Sequence, residues 1–463
     1  MRVSIVVRAQ SRTAAQGGHA PMRRTVDAVL AQAFRSLEVI VVGDDRGAEV
    51  VAAIARGDPR VRHVRQEQNG AAAARRSGLR AARGELVGFL DDGDVLLPGG
   101  IARRVARLDA SQRLGAVYGR CHDVDADGRI VDTVGRQPEG DLLLQLVRGF
   151  APWTGSVLVR RALLDSIGDD ESLAWYGDPG PWLRVALAGR DFGCVQEPLG
   201  VRGLRVDGWT TEDVASQERD VLELLAQTFR RWALPGDLVA QRDAIHAAWH
   251  FRFGCRHVAC GARDAAARSF ACAAAEHAAW GRDPVPLLEL LRQEALSRSP
   301  RSGDPAAMVS QVLDLLPPVL AAARAWHGRT VGGVHAVLAL RAYAAGDRPA
   351  ARARLVAALA ADATLASAPD RFAALLVDHA RRTLPDERAA DFVDGFLELL
   401  PPGARGLQPA RRLALAELAV TETVRRCRLR ATTRPPSRAV SHAQASTLRP
   451  ELLLQAPRRA ATG

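Results

Sequence analysis

Short hydrophobic runs alternate with segments of helical spacing in the first half of the chain. Residues 3–7, 37–42, 61–64 and 86–90 are apolar runs of strand length, whereas residues 22–34 carry apolar side chains three and four positions apart. Short strands that alternate with helices predict βαβ units with right-handed crossovers. The pattern therefore predicts an α/β domain with a Rossmann-like, mainly parallel sheet.

The second half of the chain has a different pattern. From about residue 214 the strand signals end, and long Ala-, Leu- and Arg-rich segments of helical periodicity follow. Residues 256–268 and 341–352 each predict a helix, a Gly-containing turn and a second helix, which is typical of a tetratricopeptide-like helical hairpin. A plain helical bundle fits these segments equally well. The region is therefore predicted to be all-α.

The length of 463 residues is typical of about two or three domains, and a hydrophobic content of 48% is ample for sizeable cores. We place the α/β domain at residues 1–212 and the helical region at residues 213–424. Arg, Pro, Ser and Thr dominate residues 425–463, so we expect a basic and mostly disordered tail there.

The formal charge of +11 raises the question of nucleic-acid binding. The chain contains no lysine, its arginines accompany very abundant alanine, and only 5% of its residues are aromatic. This composition indicates a broad coding bias without an aromatic platform, so we expect no specific nucleic-acid partner. A basic surface could instead associate with an anionic membrane that carries a lipid-linked acceptor.

No signal peptide is evident, and no apolar stretch approaches the roughly 20 residues that span a bilayer. Six cysteines at irregular positions are typical of a reducing compartment. We therefore expect a cytoplasmic location, with peripheral association at the inner face of the membrane as an open alternative. Cys255, His257 and Cys260 lack the spacing of a metal site and are interpreted as buried side chains.

The run at residues 86–90 leads directly into three carboxylates, Asp91, Asp92 and Asp94. Side chains at the carboxyl end of a buried strand lie where open α/β sheets bind their ligands. Carboxylate oxygens suit Mg²⁺ or Mn²⁺, and these ions suit a diphosphate. Because Asp-Gly sequences also form surface turns, a plain turn remains an alternative.

Several segments, in this order and spacing, resemble the family 2 glycosyltransferases with their GT-A fold. The resemblance runs from Val3 to about Thr210. The segments that carry it are residues 3–7, 29–32, 38–45, 69–70, 74–78, 82–85, 89–98, 153–161, 164–168 and 178–184. It implies transfer of a sugar from a nucleotide-sugar donor to an acceptor hydroxyl.

The resemblance assigns roles to the acidic residues. Asp94 is the first choice for the cation ligand, with Asp92 and Asp91 completing the shell or contacting the donor ribose. Asp44 would contact the nucleobase. Asp178 would be the general base, and one base with direct attack implies inversion at the anomeric carbon.

Basic residues could contact the donor phosphates, because guanidinium groups match phosphate oxygens. Arg202 and Arg205 lie in a segment that resembles the loop closing over the donor, and Arg8 follows the first strand. Each could also be a solvated surface arginine. The acidic patch at residues 122–125 could touch the donor sugar, although an ordinary hairpin edge is the favoured interpretation.

The chain also departs from the family pattern. Gly93 and Gly43 replace aspartates, and Gly177 replaces the glutamate before Asp178, which leaves a plain helix N-cap as the alternative role for Asp178. Two functions therefore stay open. One is an inverting, metal-dependent glycosyltransferase, with cell-surface polysaccharide or glycoconjugate synthesis as the setting that the family implies. The other is a degenerate domain that binds nucleotide sugars or acts as a scaffold.

Three further points complete the sequence picture. The absence of a G-x-G-x-x-G after the first strand excludes a Rossmann dehydrogenase. The helical region could bind a protein partner or present the acceptor. A saccharide, a lipid-linked group or another hydroxyl compound all remain open as acceptors.

Overall fold

The computed structural model describes most of the chain in segments. These are residues 1–9, 20–43, 51–52, 54–66, 71–124, 130–167, 179–203, 211–231, 233–297, 304–384, 386–407 and 409–419. Two compact units make up the chain. The first is Met1–Ala279 with Ser297–Asp304 and Leu315–Leu320, and the second is Trp280–Leu296, Pro305–Asp314 and Ala321–Gly463.

The first unit contains a nine-stranded sheet of the order β3-β2-β1-β4-β8-β6-β9-β5, with β7 paired to β6. The strands are β1 Val3–Arg8, β2 Leu37–Gly43, β3 Val61–Arg65, β4 Leu86–Asp91, β5 Val95–Leu96, β6 Leu114–Val124, β7 Ile130–Thr133, β8 Leu158–Arg160 and β9 Asp191–Gly203.

The helices of the first unit connect and cover these strands. They are α1 Ala20–Leu30, α2 Ala71–Ala81, α3 Gly100–Asp109, α4 Leu143–Val147, α5 Arg161–Ile167, α6 Pro179–Leu187, α7 Thr211–Arg231, α8 Gly236–Val239, α9 Arg242–Ala259 and α10 Arg263–Glu276. The prediction of an α/β domain is confirmed.

The sheet is parallel at one end and mixed at the other. Strands β3, β2, β1 and β4 pair in parallel, and β6 pairs in parallel with β9. The pairs β4–β8, β5–β9, β6–β7 and β6–β8 are antiparallel. The predicted parallel sheet therefore applies to β3, β2, β1 and β4, which come from the βαβ pattern of the sequence. Of the later strands, β6 and β9 run in the same direction as β4, whereas β8, β5 and β7 run in the opposite direction.

Alternate residues of β1 pack on opposite faces of the sheet, as the two-residue period of a strand requires. Ile5 and Val7 belong to a core that includes Met22 and Val26 of α1. Val6 belongs to the core on the other face. Because both faces of the parallel strands are covered, these strands are continuous apolar runs in the sequence.

Helices beyond residue 212 share the core of the sheet. Val221 of α7 and Trp249 and Phe253 of α9 lie in the same hydrophobic cluster as Val6. The indole N–H of Trp249 also donates a hydrogen bond of 2.7 Å to the carbonyl of Val147 on α4. The first compact unit therefore extends past the predicted division between residues 212 and 213, and a domain boundary at that point stays a prediction.

The second unit is helical, which confirms the predicted all-α region. Its helices are α11 Val285–Leu296, α12 Pro305–Leu315, α13 His327–Ala344, α14 Arg348–Ala361, α15 Pro369–Thr383 and α16 Asp386–Leu397. Within the described residues, no helix combines the length and the apolar character that crossing a membrane requires.

Both predicted hairpins are present as two helices joined at a glycine. Gly261 joins α9 to α10 with φ of +77°, and Gly346 joins α13 to α14 with φ of +84°. Asp347 caps α14, because its carboxylate accepts the N–H of Ala350 at 2.9 Å. Their classification as tetratricopeptide-like repeats stays a prediction.

A tight turn follows β4 and redirects the chain into β5. The N–H of Asp94 donates to the carbonyl of Asp91 at 3.1 Å, and Gly93, the third residue of the turn, has φ of +95°. The N–H of Gly93 donates to the buried Thr25 hydroxyl at 2.9 Å. A positive φ at this position of a turn favours glycine.

We expect Gly93→Ala to lower the stability of the first unit by about 1–3 kcal/mol, because an L side chain is strained at this φ. Steric overlap contributes little, since an added Cβ would meet only Pro21 at 3.8 Å. Thermal unfolding followed by circular dichroism measures the effect. Gly57→Ala is the matched control, because its added Cβ meets nothing within 4 Å. Equal unfolding midpoints for both variants would contradict the role of Gly93.

Candidate functional site

Strands β1 and β4 end side by side and bring opposite charges together. Arg8 pairs with Asp91 in the parallel register, and the Nε–H of Arg8 donates to Oδ1 of Asp91 at 2.8 Å. Burial would lower the pKa of Arg8, but this hydrogen bond and the negative charges of Asp91, Asp92 and Asp94 outweigh burial and raise it. Arg8 is therefore a charged member of the carboxylate cluster and not a solvated surface arginine.

A second arginine approaches the same carboxylate from α2. An Nη atom of Arg75 lies 3.8 Å from Oδ1 of Asp91. Arg75 is 8% exposed, so its charge acts on the cluster from within the fold. Arg75 lies in residues 74–78, one of the segments that resemble the glycosyltransferase family, but no role for it was predicted from the sequence. A buried arginine whose partner lies 16 residues away has no signature in hydrophobic periodicity.

The turn after β4 carries two buried carboxylates. Asp92 is 6% exposed and Asp94 is 9% exposed. Burial raises the pKa of Asp94 well above its usual value, and the charges of Asp91 and Asp92 raise it further. A hydrogen bond from the N–H of Asp91, at 3.3 Å, and the charge of Arg202 act in the opposite direction. The segment is a turn, as one alternative predicted, but it is not a plain surface turn.

Strand β9 brings Arg202 to this turn. Val95 pairs with Val201 in the antiparallel register of β5 and β9, so the next pair along the register sets Asp94 opposite Arg202. On its other side, Arg202 forms an ion pair with Asp123 of β6 at 2.8 Å. Burial would lower the pKa of Arg202, but the hydrogen bonds and the charge of Asp123 raise it. The structure thus places Arg202 in the cluster, and its contact with the donor phosphates stays a prediction.

Asp123 is the second residue that the sequence analysis missed. It was part of the acidic patch at residues 122–125, which was interpreted as a hairpin edge. Strands β6 and β7 do pair at this patch, with His122 opposite Thr133. Asp123 itself is 3% exposed and lies inside the sheet next to Arg202. Its partner is 79 residues away, so only the pairing of β6 with β9 identifies it.

The donor atoms of Asp92 and Asp94 fit a hard divalent cation. Both are carboxylates, and burial, followed by the negative charges of Asp91 and Asp92, raises the pKa of Asp94, so a cation beside it would favour its ionised form. In the described part of the chain, no group of three or more His, Cys, Asp or Glu side chains is placed to hold a metal ion. Two carboxylates would suit a cation that takes its further ligands from phosphates and water, as Mg²⁺ usually does.

Three predicted site residues lie outside the described residues. They are Asp44, which follows β2, Asp178, which precedes α6, and Arg205, which follows β9. The described residues bring together Arg8, Asp91, Asp92, Asp94 and Arg202 at one edge of the sheet.

Known proteins are similar to the part of the chain that carries the carboxylates of this cluster. Residues 18–166 match the family described as Glycosyl transferase family 2. The Uncharacterized glycosyltransferase EpsJ of Bacillus subtilis (strain 168) is 38% identical over 72 residues, which cover 15% of this chain and 21% of EpsJ. The Succinoglycan biosynthesis protein ExoO of Rhizobium meliloti (strain 1021) is 39% identical over 92 residues, or 19% of this chain and 26% of ExoO.

A longer match is the Uncharacterized glycosyltransferase alr2836 of Nostoc sp., which is 26% identical over 165 residues, or 33% of this chain and 51% of that protein. The chain thus spans about half or less of the length of these relatives. The solved structure of S. aureus TarS 1-349 in complex with UDP-GlcNAc has a TM-score of 0.42 and 16% identity, covering 75% of this chain and 92% of that chain. At residues 18–166, the chain therefore contains a domain that matches the family 2 glycosyltransferases.

Proposed function

We propose that this chain is an inverting glycosyltransferase that uses Mg²⁺ or Mn²⁺ and moves a sugar from a nucleoside-diphosphate sugar to an acceptor hydroxyl. The observation that carries the proposal is the buried pair Asp92 and Asp94 at the end of β4, inside the segment that matches the family. A carboxyl group buried beside other carboxylates is costly to ionise, so its presence favours a bound cation.

The donor diphosphate would bind between the carboxylates and the arginines. Asp92 and Asp94 would hold the divalent cation, which supplies Lewis-acid stabilisation of the leaving diphosphate when it is bound. Arg202 and Arg205 would contact phosphate oxygens from β9 and the segment that follows it. Arg8 orients the carboxylate of Asp91, because its Nε–H donates to Oδ1 of Asp91.

Two further donor contacts belong to the proposal. Asp44 follows the last residue of β2 and would accept from an N–H of the nucleobase. Asp91 would contact the donor ribose or complete the shell around the cation. The parallel register supports this grouping, because β1 lies between β2 and β4 and all three strands end at the same edge of the sheet.

Asp178 would act as the general base for the transfer. The acceptor oxygen would attack the anomeric carbon, the bond from that carbon to the diphosphate would break, and the carboxylate of Asp178 would take the acceptor proton. One direct displacement inverts the anomeric configuration. Helix α6 begins at the next residue, Pro179, and Trp182 and Leu183 of this helix are buried, which gives the base a firmly packed neighbouring helix.

The wider setting follows from the relatives and from the chain composition. We propose that residues 1–212 form the transferase domain and that residues 213–424 bind a protein partner or present the acceptor. The acceptor would be a saccharide or a lipid-linked hydroxyl compound in cell-surface polysaccharide synthesis, which the name of the relative ExoO supports. The net charge of +11 favours peripheral association with an anionic membrane.

We expect Asp94→Asn to abolish cation-dependent donor binding. The wild type should be stabilised in a thermal shift by one of UDP, GDP, CDP or dTDP, and only with Mn²⁺ present. The variant should lose this shift and hydrolyse the matching nucleotide sugar about 100-fold more slowly, because a ligand of the cation is weakened. Asp165→Asn, on the exposed side of α5, is the control and should keep both activities.

The same assay separates the enzyme from a scaffold. A scaffold that binds nucleotide sugars would show the Mn²⁺-dependent shift but no hydrolysis of any donor. A chain that shows no shift with any of the four nucleotides, with or without Mn²⁺, would contradict the glycosyltransferase proposal.

Asp178→Asn should lower turnover by about 10²–10⁴-fold, the usual contribution of a general base. Nucleotide binding with Mn²⁺ should remain at the wild-type level, because the base contacts the acceptor and not the diphosphate. Transfer measured with radiolabelled donor, beside the thermal shift, tests both statements. A variant that transfers at the wild-type rate would assign Asp178 to the alternative role of a helix N-cap.

A further inference from the structure

Arg202 and Asp123 form a two-point ion pair between neighbouring strands. The Nε–H of Arg202 donates to Oδ1 of Asp123 at 2.8 Å, and an Nη2–H donates to Oδ2 at 3.1 Å. The two residues are register partners in the parallel pair of β6 and β9. Asp123 is 3% exposed, whereas 39% of the Arg202 side chain is exposed. The pair thus joins a buried carboxylate to a cation that reaches the surface.

The register of β5 and β9 fixes where this cation lies. Val95 lies opposite Val201 in the antiparallel pair of β5 and β9. Asp94, the residue before Val95, therefore lies opposite Arg202, the residue after Val201. Residues directly opposite each other on paired strands project to the same face of a sheet. Arg202 therefore stands between a buried carboxylate that holds it and a carboxylate suited to a cation.

The geometry of a guanidinium group leaves it able to bind a second anion. An arginine has five N–H donors in a planar fork, and Asp123 takes two of them. The remaining three can reach oxygens of a second anion. A free arginine side chain loses considerable rotamer entropy when a ligand fixes it, whereas an arginine already held by a carboxylate loses less. Anchoring by Asp123 thus prepares Arg202 for a ligand.

We propose that Asp123 is a positioning residue, which holds the guanidinium of Arg202 in place for the diphosphate of the donor on the side that faces Asp94. This inference rests on the proposed function, because it takes the donor to be a nucleoside diphosphate sugar. It adds a residue from β6 to the site and explains why an aspartate is buried beside the strand that carries Arg202. Preorganised charge of this kind favours the charge that develops on the leaving group.

Two other roles for Asp123 predict different results. If the ion pair only stabilises the pairing of β6 with β9, its loss should lower stability and leave diphosphate affinity unchanged. If Asp123 competes with the diphosphate for Arg202, its neutralisation should increase the affinity. Positioning predicts a decrease, so the sign of the change decides among the three.

The chain contains a matched control pair at the other end of the sheet. Glu38 of β2 is 3% exposed and accepts the Nε–H of Arg62 of β3 at 3.0 Å. Both residues lie near the amino ends of their strands, whereas Arg8 and Asp91 lie at the carboxyl ends of theirs. Glu38→Gln therefore removes a buried carboxylate–arginine pair away from the candidate site.

The test compares nucleoside diphosphates with the corresponding monophosphates. Titration calorimetry in the presence of Mn²⁺ measures the affinity of the wild type for UDP, GDP, CDP and dTDP. The variants are then measured with the diphosphate that binds most tightly and with the corresponding monophosphate. Asp123→Asn should weaken the diphosphate about tenfold, a typical loss for a residue that orients a ligand group. The affinity for the monophosphate should change less than threefold, so the ratio of the diphosphate affinity to the monophosphate affinity should fall. Glu38→Gln should leave this ratio unchanged.

A second variant checks that the effect passes through Arg202. Because lysine has no planar fork and forms no two-point pair, Asp123→Asn should have little additional effect on diphosphate affinity in an Arg202→Lys background. An unchanged or increased affinity ratio in Asp123→Asn overturns the positioning role and leaves the proposed function intact. If no nucleoside diphosphate binds the wild type, the proposed function fails, and the inference fails with it.

Discussion

Strands β1 and β4 end side by side at the same edge of the sheet, and the candidate site depends on this constraint. Their parallel register pairs Arg8 with Asp91, and β2 ends on the other side of β1. Both faces of these strands are packed, so a slip of one residue would move every buried side chain to the wrong face. Hydrophobic packing therefore fixes which charged residues meet at the ends of these strands.

Once the strands end together, the charges at their ends must be balanced within the fold. Asp91 is opposed by Arg8 and Arg75, and Asp123 is opposed by Arg202. Asp94 accepts a backbone N–H and lies opposite Arg202, yet burial and its acidic neighbours still raise its pKa. The negative charge is thus concentrated on the turn after β4, which is where the proposed divalent cation would bind.

Local patterns in the sequence predicted the parts of the structure that local interactions determine. The apolar runs predicted β1, β2 and β4, and the glycines predicted the turns of both helical hairpins. The antiparallel return of β5 against β9 was not predictable, because two residues of strand carry no periodic signal. Asp123 and Arg75 were missed for a related reason: a buried charge is recognisable only from a partner that the tertiary fold supplies.

The conformation of Gly93 is relevant to whether the domain is catalytically active or degenerate. Viewed against the family pattern, Gly93 is a missing carboxylate and supports a degenerate site. In the structure it adopts a φ of +95° and donates its N–H to Thr25 of α1. This conformation closes the turn that buries Asp92 and Asp94 side by side with Asp91. A lost metal site would relieve the cost of burying these carboxylates by replacing them with neutral residues. Asp92 and Asp94 are nevertheless carboxylates buried beside a glycine that shapes their turn, which is the arrangement on which the proposed cation site rests.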